Sequence, residues 1–292
     1  MGAGQAVTLD AGHLRKLQQE LLEIYREFDR ICRVAHIPYV MSGGTLLGAV
    51  RHKGFIPWDD DMDVDLLRPH YDRFCQVVDD VIDHDRFFFQ HSGNDPEYRW
   101  VYGKLRRKGT AYVRLGQSAM KQQTGLCIDV FPLDEGYADW WQPIANGGCY
   151  FCRKILWSPV GAVHCDCAGK RLLFRALSLI PRNWALTWHR RLAVRAADLP
   201  GKTGPRYIMF QSDGDISGKR YRYRREWFEN TVEMEFEGCK FLAPSGYDGV
   251  LRVNYGDSYM EIPPPADRHG NAYAERIRFS DGEELCAGNG IS

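Results

Sequence analysis

The sequence predicts an α+β protein, with a mixed β-sheet flanked by helices and a helical insertion in the chain. Three observations carry this expectation. Short strand-like apolar runs alternate with segments of helical periodicity through the first 136 residues. The run from Leu126 to Leu133 is apolar almost throughout, as a central strand buried on both faces would be. From Tyr137 to about Arg225 the character changes, with Trp140, Trp141, Trp157, Trp184 and Trp188 accumulating among basic pairs. The expected division is a main domain of residues 1–136 and 226–292 and a helical insertion of residues 137–225.

Length and composition set further bounds. A chain of 292 residues is long enough for one large domain carrying a sizeable insertion. Its 44% apolar and 26% charged content is that of a folded globular protein. Lys plus Arg (38) balances Asp plus Glu (38), so no basic surplus points to nucleic acid. The N-terminal stretch lacks an apolar signal region, and no window approaches the length of a membrane span. A cytoplasmic protein is expected, its nine cysteines serving as reduced thiols or metal ligands.

Taken in order, Asp10 is a helix cap, followed by Leu14, Leu17, Leu21, Ile24, Tyr25, Phe28, Ile31 and Cys32 at helical spacing. Pro38 ends that helix near His36, and Ile37 to Met41 reads as the first strand. Ser42, Gly43 and Gly44 then form a turn into a second helical segment. Two glycines there let backbone N–H groups approach a ligand closely at a helix start, an arrangement that suits a phosphate.

The acidic cluster Asp59, Asp60, Asp61, Asp63 and Asp65 follows within seven positions. On a strand from Met62 to Leu66, Asp61, Asp63 and Asp65 share one face and Met62, Val64 and Leu66 the other. Carboxylates so close raise one another's pKa, and a hard divalent cation such as Mg²⁺ or Mn²⁺ relieves that cost. A calcium-loop reading fails on spacing. From Asp59 the glycine position is Val64 and the closing glutamate position His70; from Asp61 they are Leu66 and Asp72.

Arg68-Pro69 opens a third helix whose buried face is Tyr71, Phe74, Val77, Val78 and Val81. Phe87 to Phe89 is a short strand. Arg99 to Leu105 and Thr110 to Leu115 read as paired strands about the turn Arg106-Arg107-Lys108-Gly109, with Lys104 and Arg106 as candidate phosphate partners. Asp129, an acid in an otherwise apolar strand, is costly there unless paired or metal-bound, which makes it the third expected functional carboxylate.

Within the insertion, Leu172 to Ile180 and Trp184 to Ala197 fit amphipathic helices with basic flanks. Two readings of these stay open, ordinary packing on the main domain and docking on anionic lipid. Cys149, Cys152, Cys165 and Cys167 are spaced like a structural zinc site, with His164 contending with Cys167 for the fourth position. Towards the C-terminus, Val232 to Leu242 reads as a strand or hairpin and Tyr247 to Val253 as a short helix. Arg268 and His269 are left without an assigned role.

The run Ser42-Gly43-Gly44-Thr45-Leu46-Leu47-Gly48-Ala49-Val50-Arg51-His52, then Ile56-Pro57-Trp58-Asp59-Asp60-Asp61-Met62-Asp63, closely resembles the LicD family of phosphocholine and phospho-alditol transferases. The likeness continues through Lys104 and Arg106, Asp129-Val130-Phe131-Pro132-Leu133-Asp134, and a C-terminal set including Tyr255-Gly256-Asp257. It implies a nucleotidyltransferase-like fold and Mg²⁺-dependent transfer of a phospho-alcohol from a CDP-linked donor to a glycan or lipid-linked glycan at the inner face of the membrane. It also implies Asp61, Asp63 and Asp129 as catalytic residues with Asp59 beside them, Asp61 and Asp63 holding the metal and Asp129 either sharing it or taking the proton from the attacking hydroxyl. Ser42, Gly43, Gly44, Arg51, Lys104 and Arg106 are implied around the donor phosphates. True nucleotidyl transfer with release of diphosphate, or a zinc-stabilised binding module, are the alternatives.

Overall fold

The computed structural model describes residues 6–118, 120–136, 141–165, 167–195, 207–209, 221–268 and 272–287. Trp140 and His269 therefore lie outside the described residues, as do the last two positions of the predicted helix 184–197. Seven α-helices and twelve strands are present among the described residues, in a mixed α+β arrangement.

The chain enters through α1 (Ala11–Val34), whose Asp10 accepts the His13 backbone N–H at 2.8 Å as the expected cap. The helix buries Leu17, Leu21, Ile24, Tyr25, Phe28 and Ile31. Strand β1 (Val40–Met41) is shorter than the run of five predicted. It passes directly into α2 (Gly43–His52), then β2 (Asp63–Leu67), α3 (Arg68–Val81) and β3 (Phe87–Gln90). Next come β4 (Gly103–Arg107), β5 (Ala111–Arg114) and β6 (Cys127–Glu135).

The main sheet runs β1-β2-β6-β4-β3. Strands β2 and β6 are parallel and the other pairs of that path antiparallel. On one side α1 and α3 pack through a chain of rings. Phe28 meets Tyr39 and Phe74 with centroids at 5.1 Å each, and Phe74 meets Phe89 at 5.0 Å. Edge-on contacts at such spacing add to large apolar burial. Tyr25 meets Phe241 at 4.6 Å, which ties in the hairpin β9 (Thr231–Phe236) and β10 (Cys239–Pro244).

The predicted pairing of the segments around Arg106 to Gly109 does not form. Strand β4 spends both edges on β3 and β6. Strand β5 leaves for a separate sheet with β11 (Ala274–Arg278) and β12 (Glu284–Cys286), two strands that carry no clear sequence signal. Thr110 marks the parting of the ways: its hydroxyl donates to the Arg107 carbonyl at 2.8 Å and accepts from the Leu126 N–H at 2.9 Å.

The insertion contains α4 (Gln142–His164), α5 (Ala168–Leu177) and α6 (Arg182–Val194). It also holds β7 (Tyr207–Met209), which extends the main sheet by pairing with β6 and with β8 (Tyr223–Arg224). The last helix is α7 (Tyr247–Tyr255).

The four-cysteine site is corrected by α4. Cys149 and Cys152 sit inside this helix, 0% and 3% exposed, while Cys165 caps its end and Cys167 precedes α5, exposed. At a rise of about 1.5 Å per residue, Cys149 and Cys165 stand roughly 24 Å apart along the helix, whereas zinc thiolates must lie within about 4 Å of one another. Among the described residues no group of three His, Cys, Asp or Glu side chains stands in a ready-made coordination shell. The side chain of His164 lies outside the described residues. Burial pushes the Cys149 thiol up to about 12, as expected for a small core side chain.

Candidate active site

The register of three neighbouring strands builds the site. Asp63 on β2 stands opposite Asp129 on β6, and Asp129 stands opposite Lys104 on β4. Residues opposite one another in a sheet project to the same face, so these three side chains form a row across it. The alternation expected for β2 holds, with Met62, Val64 and Leu66 at most 1% exposed beneath. Backbone bonds fix the row. The Asp63 N–H donates to the Thr45 hydroxyl at 2.9 Å and the Asp129 N–H to the Met62 carbonyl at 3.1 Å.

The start of α2 closes one end. Gly43 has φ +49°, a left-handed conformation that glycine adopts at little cost. A Cβ there would stand 3.4 Å from Asp63 Oδ2, and one on Gly44 would stand 2.5 Å from Asp59 Oδ2. The close backbone approach read from the sequence is therefore present, but carboxylates lie against it. Both face the positive end of the helix, which favours their charge. Ser42 also turns to a carboxylate, its hydroxyl donating to Asp65 Oδ2 at 2.7 Å.

Electrostatics in this row are unbalanced. Burial, then repulsion from Asp61 and Asp60, pushes Asp59 up to about 8. Asp61 has accessible surface, yet the protein around it strips hydration, and with Asp60 and Asp129 nearby it rises to about 6. Asp63 is raised by burial and by Asp61 and Asp129. Asp129 differs. Burial raises it, but Lys104 and Arg114 outweigh that and hold it below the usual carboxylate range. Lys104 Nζ donates to Asp129 Oδ1 and lies 5.4 Å and 5.1 Å from the ring centres of Trp100 and Tyr102.

Two of the expected phosphate partners are placed differently. Arg106 is buried, with Nε donating to Gln90 Oε1 and Nη1 to the Gly125 carbonyl, each at 2.5 Å. It joins β4, β3 and the loop before β6, adds positive charge near Asp129, and lines the same cavity as Lys104. Arg51 lies at the far end of α2, where Nη1 donates to the carbonyls of Tyr259 and Glu261 at 3.1 and 3.0 Å. That guanidinium holds the C-terminal segment rather than the aspartates. Arg268 stacks over Trp58, 4.8 Å from its ring centre.

Two cavities adjoin the row. One, of about 310 Å³, reaches from Asp59, Asp61 and Asp129 to Lys104, Arg114 and a polar wall that includes Gln117 and Tyr112. The other, of about 250 Å³, is bounded by Gly43, Asp63 and Asp65 and by the aromatic residues Phe131, Tyr221, Tyr223 and Tyr255. Arg114, Tyr112 and these tyrosines were not assigned roles from the sequence. For Tyr255 a signal existed, in the Tyr255-Gly256-Asp257 match; its hydroxyl stands 4.0 Å from where a Gly43 Cβ would be.

A family profile described as "LicD/FKTN/FKRP, nucleotidyltransferase domain" matches residues 36–144, the span from β1 to the start of α4 that contains Gly43, Asp63, Lys104 and Asp129. The chain carries a LicD-family domain. Likeness beyond that span is supplied by the lipopolysaccharide cholinephosphotransferase LicD of Haemophilus influenzae. It is 28% identical over 271 residues, covering 87% of this chain and 94% of that protein. Shorter matches are to two uncharacterized Rickettsia proteins: RT0683 of Rickettsia typhi, 36% identical over 20% of this chain and 19% of its own length, and RP689 of Rickettsia prowazekii, 35% over 25% and 30%. The LicD likeness spans the insertion as well as the row of aspartates.

Proposed function

We propose that this LicD-domain protein is an Mg²⁺-dependent phosphotransferase of nucleotidyltransferase-like fold, moving phosphocholine from a CDP-linked donor to a glycan hydroxyl. The observation that carries the reading is the row Asp63, Asp129, Lys104 beside the Gly43-Gly44 helix start. Asp59, Asp61 and Asp63 are pushed towards the neutral form by burial and crowding, a deficit of positive charge that a divalent cation fits. When bound by Asp61, Asp63 and Asp129 with Asp59 beside them, Mg²⁺ would neutralise the diphosphate and the leaving CMP. Asp129, held ionised by Lys104 and Arg114, suits metal ligation better than proton abstraction. Lys104 and Arg114 bring positive charge to the larger cavity, where a phosphate could lie.

The test is to supply CDP-choline, Mg²⁺ and a lipopolysaccharide acceptor and to follow CMP. Asp63→Asn should abolish release while leaving the melting profile cooperative. Diphosphate released from CTP instead would establish the nucleotidyl-transfer alternative, and unchanged CMP release by Asp63→Asn would discard the site.

The acceptor side of the reading places the protein at a lipid surface. Residues 141–195 contain nine Lys and Arg against one Asp, in a chain of zero net charge. Helix α5 buries none of its residues; Leu172, Leu173 and nearby Leu179 are 69%, 57% and 84% exposed, beside exposed Lys170 and Arg175. An exposed apolar stripe with basic flanks fits the boundary of an anionic bilayer. No helix of the described residues is long and apolar enough to cross a membrane.

A further inference from the structure

The smaller cavity has a composition that sets it apart from the larger one. Its walls are rings: Tyr221, Tyr223, Tyr255 and Phe131. Two of these are held in place, since Tyr223 donates its hydroxyl to Asn254 Oδ1 at 2.7 Å and packs on Phe228 at 5.6 Å, and Phe131 packs at a tilt on Tyr102 at 4.6 Å. Two carboxylates line the space: Asp63, which belongs to the row, and Asp65, which is 5% exposed and accepts the Ser42 hydroxyl. Among the described residues no Lys, Arg or His forms an ion pair with Asp65. A buried acid with no cationic partner is costly, and aromatic faces attract cations.

A primary ammonium entering this space would need acceptors for three N–H groups to replace its water shell, and one oxygen each of Asn254 and Asp65 already accepts a hydroxyl. A quaternary ammonium carries no N–H and needs only ring faces and a negative field. The same cavity meets Gly43 and Asp63, where the phosphoryl group would sit. We infer that the cavity formed by Tyr221, Tyr223, Tyr255 and Phe131 receives the trimethylammonium end of the transferred phosphocholine and so selects the alcohol. This rests on the phosphotransferase reading above. It assigns the tyrosines to specificity, while the polar cavity by Lys104 and Arg114 takes the remainder of the donor.

Calorimetric titration of the Mg²⁺-loaded protein with CDP-choline, CDP-ethanolamine and CMP tests it. CDP-choline should bind at least about tenfold more tightly than CDP-ethanolamine, as loss of a desolvated cation–π contact would predict. Tyr255→Leu and Tyr221→Leu should each erase most of that preference while leaving CMP affinity within about threefold, and Tyr255→Phe and Tyr221→Phe should keep it. Equal affinity of the wild type for the two alcohols would overturn the inference, as would a preference that survives both leucine variants. Should a leucine variant lose CMP binding through misfolding, the wild-type preference and the phenylalanine variants decide. The two levels separate cleanly: no CMP from any CDP-alcohol defeats the phosphotransferase reading, whereas equal CMP release from both alcohols defeats only the cage.

Discussion

Removing the Lys104 ammonium is the sharpest physical test of the row. Lys104 is 3% exposed and Asp129 12%, so Lys104→Met keeps side-chain bulk while leaving a buried carboxylate without its donor. Breaking a buried pair from one side costs about 3–5 kcal/mol, mostly the uncompensated charge that remains. For a chain of 292 residues, that corresponds to a fall of about 5–8 °C in melting temperature. Adding Asp129→Asn should recover most of the loss, so the double-mutant cycle should show coupling of about 2 kcal/mol or more. The pH dependence has a definite sign. Asp129 titrates below 3.8 in the folded protein, so its stabilisation is present above that value and lost as pH falls through the folded-state pKa. The gap between wild type and Lys104→Met should therefore be full at pH 7 and narrow below about pH 4. Because the ammonium competes with a metal for Asp129, Mg²⁺ should also bind Lys104→Met more tightly. Coupling below about 0.5 kcal/mol, with no gain in Mg²⁺ affinity, would refute the arrangement.

Three further outcomes follow from the same geometry. Gly44→Ala brings a methyl to 2.5 Å from Asp59 Oδ2, and should cost about 1–3 kcal/mol by thermal denaturation and sharply reduce CMP release; wild-type behaviour in both would show that Asp59 moves freely. Asp59 at about 8 and Asp61 at about 6 mean that the folded, metal-free protein holds protons the unfolded chain has lost above pH 3.8. Its melting temperature should therefore fall from pH 5 to pH 8 in chelator, with added Mg²⁺ flattening the slope; a rise with pH in chelator would contradict the crowding. Leu172→Glu with Leu173→Glu should abolish co-sedimentation with vesicles containing anionic phospholipid without shifting the melting temperature; retention on vesicles, or a change of oligomeric state in place of lipid binding, would remove the membrane face.

What the sequence disclosed was local. Asp10 capping α1, Pro69 opening α3, the alternation of β2 and the hairpin around Gly238 depend on neighbours a few residues away, and each is present. The Gly43-Gly44 start of α2 and the acids of β2 are similarly near one another in the chain. Asp129 could be singled out from a distance because an acid in an apolar strand needs a reason, and its register opposite Asp63 supplies one. Partner choice was not local. Nothing between Arg99 and Leu115 says that β4 will spend both edges elsewhere and send β5 to β11, since that depends on a strand more than a hundred and fifty residues later. The cysteine spacing misled for a related reason. It reads as paired ligands if the chain turns between the pairs, and α4 does not turn.

Charge without context does not separate Arg51, Lys104 and Arg106. All three stand in family-like positions, and from the sequence each is an equal candidate for phosphate. Register separates them. Lys104 falls in line with Asp129, whereas Arg106, two residues along the same strand, is committed to Gln90 and the Gly125 carbonyl. Arg51 is separated from Gly43 by eight residues of helix, about 12 Å of rise, which carries its guanidinium to the C-terminal carbonyls. Tyr255, at the end of α7 and just ahead of the carbonyls that Arg51 holds, stands by the beginning of α2 and the aspartates. An Arg51 substitution should accordingly act on the site through Tyr255 and not through phosphate. Arg51→Gln would weaken donor binding only as far as it loosens residues 255–261, and that loosening would appear as faster amide exchange there before any change at Asp63 or Asp129.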